Sequence, residues 1–283
     1  MPIMTPLMPK RTALETEGPD HETRKASMSQ PAITPWLACS DRNPQANLRL
    51  FCFPYAGGGA HLFRSWPDQL PVTIEVCPVQ LPGRERRLNE PCFTRLPSLV
   101  EAAARALLPH LKKPFALFGH SMGTLISFEL ARLLRRELGI EPVHLFVSGC
   151  AAPQIPGRAE PLTYNLPEPE FLRELQRLNG TPKAVLDHPE MMQLMMPILR
   201  ADFEVTQTYA YATDAPLGCP ITAFGGLHDQ DVTRADLEAW REQTTASFSL
   251  RMFPGDHFFL HPAQSLLLRT LAQQLQPFVT KET

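Results

Sequence analysis

The segment Gly119-His120-Ser121-Met122-Gly123 places a serine between small residues, directly after an apolar run that reads as a strand and directly before one that reads as a helix. A chain that turns this sharply holds the serine strained, with its hydroxyl presented at the strand's C-terminal end. The backbone N–H of Met122, at the start of the helix, then points at a developing oxyanion. A serine hydroxyl is a weak nucleophile near neutral pH, so a base must take its proton, and in this setting an acid and then a histidine follow the serine along the chain. Of nine histidines, His228, His257 and His261 lie late enough. His257 sits in Phe253-Pro-Gly-Asp-His257, between the last predicted strand and the last predicted helix, on a loop that can reach back over the sheet edge. His261, just before Pro262, reads as a packing or capping residue.

The orienting acid falls in Gly225-Gly-Leu-His-Asp229-Gln-Asp231, after the penultimate strand. Asp229 comes first after that strand, whereas Asp231 lies closer to the next helix, where it would serve as a cap. Asp229 is the expected partner, since its task is to fix the imidazole tautomer and stabilise its cation from a rigid position. Asp256 is the weaker rival, because neighbouring side chains in an extended loop point apart. The first strand ends in Phe53-Pro-Tyr-Ala-Gly-Gly-Gly-Ala60, which is neither a phosphate-binding P-loop nor G-x-G-x-x-G. Its glycines let backbone approach a substrate; Ala56 is the expected second oxyanion donor, with Tyr55 beside it.

The elements that must position these residues are legible as alternation. Short apolar runs at 48–53, 73–79, 115–119, 143–149, 220–226 and 247–253 read as buried strands. Between them lie helical patterns: Leu99, Ala103, Leu107 and Leu111 on one face, a helix from Leu125 ended by Gly139, and further helices over 235–243 and 263–278. The expected class is α/β, a mostly parallel central sheet with helices on both faces. Residues 153–216 break the alternation and read as a helical lid insertion, leaving 46–152 and 217–283 as the core. Residues 1–45, rich in Pro, Thr, Ser and charge, read as a disordered tail, and Met28 opens the run that leads into the folded part.

Composition narrows the function classes. The chain has 283 residues, 43% of them hydrophobic, enough for one substantial core. Its 27 basic and 29 acidic residues form no long block, so no global field attracts nucleic acid. Six cysteines are scattered without a C-x-x-C pair, which suits free thiols in a cytoplasmic protein. No apolar stretch approaches the ~20 residues of a membrane span. His257 and His261 have the spacing of metal ligands, but no carboxylate or cysteine completes a site, and no metal or organic cofactor is expected.

With FPYAGGG (53–59), Gln80-Leu-Pro-Gly-Arg84 with Arg87, GHSMG, Leu199-Arg-Ala-Asp202, Cys219-Pro-Ile-Thr-Ala-Phe-Gly225 and Phe253-Pro-Gly-Asp-His-Phe-Phe259 in order, residues 46–278 resemble the type II thioesterases that accompany nonribosomal peptide and polyketide synthases. The resemblance implies an α/β-hydrolase fold and hydrolysis of acyl groups stranded on the phosphopantetheine arm of carrier proteins. It also implies Ser121, Asp229 and His257 as triad, Ala56 and Met122 as oxyanion donors, and an acyl-loaded carrier domain as partner; a monomer is expected. The alternatives are an esterase or acyl-CoA thioesterase of the same fold, a chain-terminating domain, and a non-enzymatic carrier-binding module. Met191, Met192, Met195 and Met196 would give the lid an adaptable acyl channel. Arg84, Arg86 and Arg87, with Arg132, Arg135 and Arg136, would form a basic docking surface for an acidic carrier.

Overall fold

The computed structural model describes residues 34–38, 43–155, 162–181 and 183–279. Six strands, β1 (Leu48–Phe53), β2 (Ile74–Pro78), β3 (Phe115–His120), β4 (His144–Ser148), β5 (Ile221–Gly226) and β6 (Phe248–Phe253), form one sheet in the order β2-β1-β3-β4-β5-β6. Every pairing in it is parallel. Successive residues of a strand face opposite sides of the sheet. Leu48, Leu50 and Cys52 of β1 therefore join Ala116 and Phe118 of β3 in one buried layer, while Phe51 and Phe53 join Phe115 and Leu117 in the other.

Helices α1 (Leu96–Leu107), α2 (Met122–Leu138) and α6 (Arg234–Glu238) cover the second layer, through Leu99, Ala103, Ile126, Phe128 and Leu237. Helix α7 (Gln264–Val279) covers the first with Leu267, Leu268, Leu271 and Leu275. Gly139 ends α2 in the left-handed conformation at φ 65°, as its position predicts. The predicted helix at 235–243 divides into α6 and a 3₁₀ segment, Ala239–Gln243.

The strand order reverses at β1, because the chain runs outward to β2 and returns on the other side at β3. Loops leaving adjacent strands at such a reversal diverge and open a crevice at the strands' C-terminal ends. The loops after β1 and β3 are the glycine loop and the serine elbow. Between β4 and β5 lie helices α3 (Glu168–Leu178), α4 (Lys183–Leu186) and α5 (Pro189–Gln207). These share their own small core of Phe171, Leu175, Met192 and Leu199.

Most of the stretch expected as a tail lies outside the described residues. Within it, residues 34–38 pack against the core, which differs from the expected boundary at 46. Trp36 is buried, Leu37 forms an antiparallel bridge to Val79, and the Arg87 guanidinium stacks 4.4 Å over the Trp36 ring. One aromatic residue in a polar segment is enough to anchor it locally when a guanidinium covers its face.

Candidate active site

Ser121 stands alone between β3 and α2, at φ 52° and ψ −117°, a conformation that L residues with side chains seldom adopt. Its amide donates to the Ser148 carbonyl at 2.7 Å, and Thr124 Oγ1 donates to the Gly119 carbonyl at 2.8 Å. The flanking glycines are demanded by space. A Cβ on Gly119 would strike the Gly123 carbonyl, and one on Gly123 would strike the Phe53 carbonyl of β1. The elbow is thus wedged against the neighbouring strand, and the strain at Ser121 is held by backbone on both sides.

His257 Nδ1 lies 2.8 Å from Asp229 Oδ2, with side-chain exposures of 16% and 0%. The other oxygen of Asp229 accepts the backbone N–H groups of Asp231 and Val232 at 3.0 and 3.1 Å. Burial alone would raise the Asp229 carboxyl, but the His257 hydrogen bond and charge, together with those two amides, hold it below its ordinary value. Asp231, the competing acid, instead accepts from Arg177 Nη1 at 3.1 Å. It is not the helix cap either: Thr233 and Asp236 form the capping box of α6. Asp256 receives the Phe258 amide and the Asn179 side chain.

Ser121, Met122, Ala56, Tyr55 and His257 line one cavity of about 310 Å³, bounded across from the sheet by Leu175, Leu199 and Phe203 of the insertion. A second cavity of about 620 Å³ adjoins it, sharing Tyr55, Ala56, Gly180, Thr181 and Leu199. Met191 and Met195 line this second chamber, while Met192, Met195 and Met196 pack in or against the insertion's own core. Met191 and Met192, alike and adjacent in sequence, are divided by the helical period. Tyr55, between the chambers, reaches His261 Nε2 with its hydroxyl at 3.1 Å, and burial pushes its phenol up to about 12. His261 therefore packs on Tyr55.

Two residues that the sequence presents only as members of motifs have roles that the motifs do not state. His120, inside the elbow, is fully buried, its Nδ1 2.8 Å from Ser148 Oγ and its ring centroid 5.3 Å from that of His257. Burial first, then the positive charges of His257 and His261, push it well below the ordinary imidazole range, so it stays neutral. The second is Asp202 on α5. Its carboxylate accepts both terminal nitrogens of Arg84 at 2.7 and 2.8 Å, and also the Gly57 amide at 2.7 Å.

That bidentate pair corrects the expected docking surface. Arg84 and Arg87 are buried: Arg84 is bound to Asp202 and the Gly58 carbonyl, and Arg87 is bound to Glu90, the Gln80 carbonyl and the Trp36 face. Of the three, Arg86 alone is exposed. Arg132 and Arg135 likewise turn to Asp214, leaving Arg136 outward. Arginines spaced closely in sequence alternate between interior partners and solvent, so no continuous basic patch forms from this set.

Among the described residues no group of histidine, cysteine and carboxylate side chains is arranged to hold a metal, and no helix is long and apolar enough to cross a membrane. Residues 48–275 match the family described as "Thioesterase domain". The gramicidin S biosynthesis protein GrsT of Aneurinibacillus migulanus is 50% identical over 244 residues, which cover 86% of this chain and 95% of that protein. Linear gramicidin dehydrogenase LgrE of Brevibacillus parabrevis is 49% identical over 247 residues, covering 86% and 94%. The name of LgrE carries a redox activity for that protein, whereas the glycines after β1 in this chain lack the G-x-G-x-x-G order of a dinucleotide site. Among solved structures, the RedJ thioesterase from the prodiginine pathway of Streptomyces coelicolor is 40% identical with a TM-score of 0.78, covering 89% of this chain and 99% of that one. A parallel sheet, an elbow serine and a family match over 48–275 lead to one conclusion: the chain belongs to the thioesterase-domain family, as a type II thioesterase.

Proposed function

We propose that the enzyme cleaves acyl thioesters through an acyl-enzyme at Ser121, with His257 as general base and Asp229 as its orienting acid. The observation that carries this reading is the 2.8 Å contact between His257 Nδ1 and Asp229 Oδ2, made at the wall of the cavity that Ser121 lines. A carboxylate at Nδ1 fixes the proton there and leaves Nε2 as the basic atom in the cavity that Ser121 lines. Ser121 Oγ then attacks the thioester carbonyl while His257 accepts its proton. The tetrahedral oxyanion takes hydrogen bonds from the amides of Met122 and Ala56. Collapse breaks the C–S bond, the imidazolium protonates the departing thiolate, and water activated by the same histidine releases the acid.

The substrates in this reading are aberrant or stalled acyl groups on the phosphopantetheine arm of carrier domains. Its support is the biosynthetic setting named for GrsT and RedJ, and the two adjoining chambers, since a thioester has two arms that leave the carbonyl in different directions. Helices α3 to α5 act as the lid, and Met191 and Met195 contribute pliable surface to its larger chamber. The test is release of short acyl groups from an acyl-loaded carrier protein by the wild type and by Ser121→Ala, beside a matched oxygen ester. Ser121-dependent release, faster from the carrier thioester than from the ester, is expected. Equal rates on the two substrates would favour a general esterase, and undiminished release by Ser121→Ala would refute the serine.

A further inference from the structure

The glycine loop after β1 is a turn whose peptide planes are each pinned from outside or across the turn. Gly58 N–H donates to the Tyr55 carbonyl at 2.9 Å, and Gly57, at φ +75°, takes the left-handed conformation required at the third position of a type II turn. In a trans peptide the C=O and the N–H point in opposite directions. Drawing the Tyr55 carbonyl into the turn therefore turns the Ala56 N–H out of it, and Ala56 lines the Ser121 cavity. The next plane is set by Gly57 N–H donating to Asp202 Oδ2, and a later one by Arg84 Nη1 donating to the Gly58 carbonyl at 3.0 Å. Arg84 and Asp202, 7% and 4% exposed in their side chains, also bind each other. Close packing reinforces the hold: a Cβ on Gly57 would lie 2.5 Å from Leu199 Cδ2 of α5.

Resting on the reading of Ser121 as nucleophile, we infer that Asp202 and Arg84 are positioning residues for the oxyanion donor at Ala56. Asp202 anchors the Gly57 amide from α5, and Arg84 neutralises that carboxylate while tying down the Gly58 carbonyl. The end of α5 is therefore part of the catalytic scaffold, although it belongs to the insertion. A buried carboxylate would be too costly without a cation, and a buried guanidinium too costly without an anion, which accounts for the pair being kept together in a catalytic loop.

The test separates positioning from simple ion-pair stability. In an Arg84→Met background, Asp202→Leu removes the acceptor for Gly57 N–H, whereas Asp202→Asn retains one; neither carries a buried unpaired charge. Thioester turnover, melting temperature and affinity for a trifluoromethyl ketone analogue of the acyl group are measured for both, beside wild type and Ser121→Ala. Loss of an oriented oxyanion donor costs about 10²–10³ in kcat. The leucine variant is expected to lose about 100-fold in kcat, with KM within about threefold, and to bind the ketone weaker by a similar factor. The asparagine variant is expected to exceed the leucine variant in both, while staying below wild type because the Gly58 carbonyl has lost Arg84. If the leucine variant does not fold, Asp202→Ala in the same background takes its place with the same expectation. Equal kcat in the acceptor-bearing and acceptor-free variants overturns the inference while leaving the serine mechanism intact. Full activity in Ser121→Ala overturns that mechanism, and the inference with it.

Discussion

The two edges of the helical insertion are fastened to the core in different ways. At the α5 edge, the Arg84–Asp202 pair is buried, bidentate and shared with the glycine loop. At the α3 edge, Arg177 meets Asp231 at 3.1 Å with side-chain exposures of 47% and 32%, and Asn179 reaches Asp256 at 3.3 Å. An exposed pair of this kind contributes about 1 kcal/mol or less, whereas stripping one partner from a buried pair costs about 3–5 kcal/mol. The insertion is thus anchored beside the glycine loop after β1 and latched lightly beside the His257 loop.

Asp229→Asn acts on the loop that carries the light latch. It removes the charge that holds the His257 tautomer and is expected to lower kcat by about 10⁴. Because the folded carboxyl lies below its ordinary value, its stabilising contribution is complete above about pH 4 and is lost as pH falls through the folded value. The stability difference between wild type and Asp229→Asn should accordingly shrink on acidification below about pH 4, as followed by urea denaturation. Next, Asp202→Ala with Arg84 retained leaves a buried guanidinium unpaired and is expected to cost about 3–5 kcal/mol in the same measurement. A loss below about 1 kcal/mol would erase the distinction between the edges.

Gly57→Ala introduces both a strained φ and a clash with Leu199, and about 1–3 kcal/mol of destabilisation is expected, with a fall in kcat. Smallest of all, Arg177→Ala is expected to change stability by no more than about 1 kcal/mol. Hydrogen exchange should nevertheless become faster in α3 while protection in α5 is unchanged. Uniform acceleration along both helices would mean that the insertion moves as one piece.

The parts legible in the sequence were those encoded locally. The strand run at 48–53 announces itself by its apolar character, and Gly119 to Gly123 by a serine among small residues where a strand run meets a helical one. Asp229 and His257 follow from chain order and their places after strands, and the structure brings them into contact. What stayed hidden depends on partners far along the chain. Arg84 and Asp202 are 118 residues apart, so an arginine cluster read as a surface was an interior clamp. Met191 and Met192 are adjacent, yet a rotation of about 100° per residue sends one to a chamber and the other to a core. Trp36 was averaged away by its polar neighbours, and the neutral state of His120 depends on burial that no motif states.

The central claim is that an acyl group passes through the Ser121 hydroxyl. Acid quenching during turnover of an acyl-carrier thioester, followed by peptide mass mapping, reads this directly. The acyl mass should appear on the peptide containing Ser121 in the wild type and vanish, together with turnover, in Ser121→Ala. Acyl transfer to another residue, or turnover that persists in Ser121→Ala, would contradict it.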